Sequence, residues 1–190
     1  MRISDIVYFA PNIRLRELDL SDKNALINAF EKRVRGFYLE PIKELNDKEM
    51  AFAAGIIEFS MIDAFARYSD NYKSKGKEKV GERMVKMLSE IFQITENIAR
   101  KTYNDFRNGL LHENHIKNCS CFDYKSSKSI SLEQNSVIVN PLKVQEEFEK
   151  YLEKYLEKLN TEVITYNKFL SNIKMDFEEE IKHFRQAEKV

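Results

Sequence analysis

Apolar residues recur along this chain at steps of three and four, the spacing of one helix face after another. The first twenty residues are mixed and predict no single element, although Ile6-Val7-Tyr8-Phe9-Ala10 forms a short apolar run before Pro11. Ser21, Asp22 and Asn24 offer N-cap chemistry for a first helix with Leu26, Phe30, Val34 and Phe37, which Pro41 is expected to kink or end. A second helix, capped by Asn46 or Asp47, is predicted from Ala51 to Tyr68; it is apolar nearly all round, as a central helix is. Glu58 and Asp63 interrupt that run, and carboxylates there must reach a rim or pair with a cation. A polar loop from Asp70 to Lys79 holds Lys73, Lys75, Lys77 and Lys79. The third helix is predicted over Val80 to Phe92, with Met84, Met87, Leu88 and Ile91 on one face. The fourth starts near Thr95 and uses Ala99, Tyr103, Phe106 and Leu110.

Lys117 to Asn140 changes character. Cys119–Tyr124 and Ile130–Val139 are alternating or β-branched and are separated by Lys125-Ser126-Ser127-Lys128-Ser129, which predicts a small β-hairpin inserted between helices. Asn140-Pro141 opens the next helix, with Pro in its first turn. From Phe148 to Phe184 the apolar residues again step by threes and fours. One unbroken helix over the last 45 residues or so would span roughly 65 Å, so a break near Asn160-Thr161 is expected over a projecting arm. The five Gly and three Pro are few for the many turns of a β fold. The fold class is therefore all-α: one domain over residues 1–190, an up-and-down bundle with a hairpin insertion at 117–140 and a long C-terminal helical element at 141–187.

Charge narrows the partners. Lys plus Arg equals Asp plus Glu, at 31 each, so any RNA contact is confined to a local site and no DNA coating is expected. The N-terminal apolar run is too short for a signal-peptide core, and no stretch approaches the ~20 apolar residues of a membrane span. Two cysteines make no disulfide framework, so the chain reads as cytoplasmic.

The chemistry concentrates in Tyr103-Asn104-Asp105-Phe106-Arg107-Asn108-Gly109-Leu110-Leu111-His112-Glu113. Tyr103, Phe106 and Leu110 face the core in this reading, and Gly109 lets another backbone come close. Arg107, Asn108 and His112 then bring a permanent cation, an amide and a titratable imidazole within a turn and a half. Arg clamps phosphate and stabilises its charge, and His moves protons near neutral pH, a combination suited to phosphodiester cleavage without a metal.

This Arg-Asn-x3-His stretch resembles the signature of the HEPN family: an Arg, four to six residues, then a His, often with a polar residue directly after the Arg. The resemblance implies a helical RNA-binding or RNA-cleaving domain, two protomers whose motifs line one cleft, and metal-independent ribonuclease activity of the toxin or phage-defence kind. It assigns catalysis to Arg107, Asn108 and His112, with RNA, a second copy and an antitoxin or regulatory protein as partners and no cofactor. A non-catalytic module that binds RNA, a nucleotide or a protein is the alternative. Family toxins paired with a nucleotidyltransferase often carry Tyr two residues beyond the His; here Asn114 stands there, so regulation through such a Tyr is not supported. Glu58 is the candidate to orient Arg107, with Asp63 as second supporting carboxylate. The plainer reading is that Arg107 pairs with Glu58 or Asp63 and His112 simply ends a helix.

Two further readings compete. His112, His115, Cys119 and Cys121 are four zinc-ligand types within ten residues, but zinc sites space their cysteines by two to four residues, so buried, ordinary cysteines and no metal are expected. The apolar stripe after Asn160 suits a purely structural interaction protein. No Gly-rich phosphate loop, His-Glu-x2-His or nucleophile elbow is present.

Overall fold

The computed structural model describes residues 2–69 and 80–187, and the lysine-rich loop of the sequence lies outside them. The fold is mostly helical with two small three-stranded sheets, which agrees with the expected helical class and adds a second sheet to the expected insertion. The described chain forms two compact units, one from residues up to Phe37 together with those from Lys154 onward, the other from Tyr38 to Glu153.

The first unit begins with an antiparallel meander of β1 (Arg2–Ile3), β2 (Ile6–Ala10) and β3 (Ile13–Arg14), turned at Ser4 and Asn12, both at positive φ. α1 (Lys23–Val34) follows, capped by Asp22, whose carboxylate accepts from the Ala25 amide at 3.0 Å. Phe30 is fully buried and meets Phe169 edge-on at 4.8 Å, and Phe9 lies 5.5 Å from Phe177. The Arg33 guanidinium covers the rings of Phe9, Phe37 and Phe177.

Pro41 does not end the helical run. A π-helical stretch over Arg35–Leu39 precedes it, and α2 continues over Glu40–Asn46 with the proline in its first turn. Proline lacks an amide proton and crowds the carbonyl four residues back; the widened turn is how the backbone accommodates it.

α3 (Ala51–Ser69) starts after a turn at Glu49, so Asn46 and Asp47 close α2 and do not cap α3. It packs against α2, α4 (Val80–Phe92) and the helix that begins as α5 (Glu96–Thr102), which Thr95 caps through the Ile98 amide. Phe59, Ile62, Phe65, Met84, Leu88 and Phe148 are among the buried side chains of this second unit.

The inserted sheet differs from the expected hairpin. β5 (Ile130–Glu133) and β6 (Ser136–Val139) pair antiparallel around Gln134 and Asn135, whose φ angles of 46° and 66° suit a two-residue turn. β4 (Cys121–Phe122) lies parallel on the other edge of β6. α6 (Pro141–Thr161) then breaks at Glu162, one residue past the expected place, and the helices resume as α7 (Val163–Asp176) and α8 (Glu178–Ala187). Among the described residues no helix is long and apolar enough to cross a membrane.

Candidate functional site

α5 does not continue as an ordinary α-helix. From Tyr103 to Glu113 it widens into a π-helix, closed by Asn114 in the left-handed conformation with its amide on the Gly109 carbonyl. That winding decides which side chains meet. In an α-helix residues four apart share a face and His112 lines up with Asn108; with bonds from i to i+5, His112 lines up with Arg107.

The structure brings Arg107, Asn108 and His112 together. Arg107 Nη1 lies 2.7 Å from His112 Nε2 and donates at 3.2 Å to Asn108 Oδ1. A guanidinium has no acceptor, so Nε2 accepts and the proton of the neutral ring sits on Nδ1. Asn108 reaches on to Asn104, donating to its Oδ1 at 3.4 Å. On the other side Arg107 Nη2 donates to Asp63 Oδ2 at 2.8 Å, an ion pair whose side chains are only 15% and 11% exposed. The Tyr103 ring lies 5.7 Å under the guanidinium. His112 itself is exposed. The guanidinium thus holds the buried Asp63 carboxylate on one side and the exposed His112 imidazole on the other.

Gly109 allows the chain to turn back beside the site. A Cβ there would collide with the His115 carbonyl, and the His115 amide donates to the Gly109 carbonyl at 3.2 Å. Lys117 pairs with Glu113 and holds its carboxyl below the usual carboxylate range.

Glu58, the candidate for orienting Arg107, is not part of this group; Asp63 takes the guanidinium. Glu58 is fully buried, and neither carboxyl oxygen completes a hydrogen bond. Burial pushes it well above the usual carboxylate range, and the Asn46 amide, which acts in the opposite sense, is given to Gln145 at 3.1 Å while Asn46 Oδ1 takes the Tyr124 hydroxyl at 3.0 Å. Because the folded value is raised, the stability that goes with the protonated form is complete below the unfolded carboxylate value. It is lost as pH climbs through the raised one. Glu58→Gln is therefore expected to stabilise the protein by about 2 kcal/mol at neutral pH. The advantage should widen with pH over that window in urea unfolding; a gap that stays flat with pH overturns this account.

The cysteines were expected to be buried, yet Cys119 and Cys121 are both exposed free thiols. Among the described residues no three His, Cys, Asp or Glu side chains come together as a metal-binding group. A residue that the sequence did not single out is Asp105. It is 1% exposed, and Lys101, Asn118 and Ser120 all point polar hydrogens at its carboxylate. In sequence it reads as one more acid in a charged helix; only the return of the loop reveals its role. Compared with known proteins, the chain matches no family model, no curated protein and no solved structure.

Proposed function

We propose that the protein is a metal-independent endoribonuclease of HEPN type, acting as a homodimer in a toxin or phage-defence role, with the up-and-down bundle of that family as its framework. The supporting observation is the contact of Arg107 Nη1 with His112 Nε2 at 2.7 Å. A phosphate of RNA seated on the guanidinium draws Nη1 away from Nε2 and releases the imidazole lone pair. His112 then takes the proton of the neighbouring 2′-hydroxyl, whose oxygen attacks phosphorus while the bond to the 5′-oxygen breaks, leaving a 2′,3′-cyclic phosphate. Arg107 stabilises the charge on the non-bridging oxygens, Asn108 helps hold the guanidinium, and Asp63 fixes it from behind. The proton for the departing 5′-oxygen comes from His112 of the partner subunit or from water. An antitoxin or regulatory protein is the further partner of this reading.

The test is cleavage of short RNAs in chelator-containing buffer. The parent protein is expected to yield cyclic-phosphate ends, and His112→Ala is expected to slow cleavage about a thousandfold. Equal rates for the two remove His112 from the mechanism. The second reading, a non-catalytic module that binds RNA, a nucleotide or a protein, is favoured by one observation: Asp63 already neutralises Arg107. Retention of RNA without any cleavage selects it.

A further inference from the structure

We propose that Asp105 is a positioning residue for His112, clamping the loop that leaves the histidine so that the π-helical winding, and with it the contact to Arg107, is kept. The functional meaning rests on the ribonuclease reading; the geometry does not.

Asp105 sits two residues before Arg107 within the π-helix, with its carboxylate facing inward. Asn118 Nδ2 donates to Oδ1 at 2.6 Å, Ser120 Oγ to Oδ2 at 2.7 Å, and Lys101 Nζ lies 3.0 Å from Oδ2. The Asp105 carbonyl also accepts the Lys117 amide at 3.1 Å. Two of those side chains and that amide belong to the segment immediately after His112, so the chain runs out through the histidine and is tied back beneath it. Ser120 Oγ in turn accepts the Val137 amide at 2.9 Å, anchoring the clamp in β6.

The winding and the clamp depend on each other. The Gly109 carbonyl takes the amides of Asn114 and His115, and the Asp105 carbonyl takes that of Lys117, so the loop occupies acceptors along the widened helix. A buried carboxylate is an expensive way to fill a core position unless its donors do something an apolar side chain cannot. Here they fix the end of a helix whose winding is uncommon and is held from outside. Released from the clamp, the segment relaxes toward ordinary i to i+4 bonding, which rotates His112 into line with Asn108 and takes Nε2 off Nη1.

The test reads His112 directly, in the full chain labelled with 15N-histidine, at mildly alkaline pH where imidazoles are neutral. In the parent, long-range 1H–15N correlations are expected to show His112 with its proton on Nδ1. In Asp105→Asn, which keeps the size and loses the charge, the proton is expected to move to Nε2, as in a free imidazole. Should that variant not fold, Asn118→Ala removes one donor from the exposed side of the clamp and is expected to give a smaller shift in the same direction. In cleavage assays the folded variant is expected to lose between about tenfold and a hundredfold in kcat. KM should stay within about twofold, because Arg107 and Asp63 are untouched. A parent His112 already protonated on Nε2, or an unchanged tautomer in the variants, overturns the inference. A parent that never cleaves RNA, combined with the tautomer shift, defeats the ribonuclease reading and leaves the positioning role standing.

Discussion

Arg107→Ala is expected to lower RNA cleavage about a thousandfold and, through a different interaction, to cost about 3 kcal/mol of stability. The first effect follows, under the proposed mechanism, from losing the guanidinium that touches His112. The second follows from Asp63, whose side chain is 11% exposed and would be stranded without its cation. The two effects separate in a double variant. Asp63→Asn added to Arg107→Ala removes the stranded charge and should recover about 2 kcal/mol in urea unfolding, while cleavage stays lost. A double variant as unstable as Arg107→Ala alone would mean that the ion pair does not govern the stability of this region. Full activity in Arg107→Ala would remove the arginine from catalysis.

The second large effect is expected at Phe106, on the buried face of the same π-helix. Its ring is fully buried, stacks on Phe59 at 5.6 Å and meets Phe122 edge-on at 5.1 Å; Phe122 in turn lies over Gly55, where a Cβ would collide with its ring. Phe106 thus ties the π-helix to both α3 and β4. Phe106→Ala should cost about 4 kcal/mol, the range for a buried ring that leaves a cavity its neighbours cannot close. For a chain of this length that lowers the melting temperature by roughly ten degrees. Phe106→Leu, which keeps most of the volume, should recover more than half. A loss below about 1 kcal/mol for the alanine variant would show that the site collapses readily and that the ring is not a structural tie.

Periodicity carried the sequence reading wherever an element was long enough to repeat. The helix from Val80 to Phe92 appears with the bounds that its apolar face predicts, and the central helix from Ala51 matches to within a residue at its end. The N-terminal meander left no such signal, because strands of two and five residues hold too few alternations to count. The hairpin was legible in composition but not in pairing: Cys121–Phe122 joins β6 in parallel, a tertiary choice that no local pattern encodes. Around the site, spacing placed Arg107, Asn108 and His112 on one stretch of helix, yet an α-helical ruler puts His112 under Asn108. Between Glu58 and Asp63 the sequence offered two carboxylates in one apolar helix, and the contact that separates them spans 44 residues of chain. Asp105 was invisible for the same reason, since its partners lie up to fifteen residues away along a loop.

The wide winding between Tyr103 and Glu113 bears on what kinds of sequence change the region can absorb. Substitutions leave the residue count intact, but a single-residue deletion after Arg107 turns every later side chain of the stretch by roughly a quarter of a turn around the axis. A guanidinium and an imidazole can therefore meet at several separations along a chain only if the coil between them is retuned each time, tighter for a shorter gap and looser for a longer one. Length and pitch have to change as a pair, and a count of intervening residues taken alone describes only half of the device.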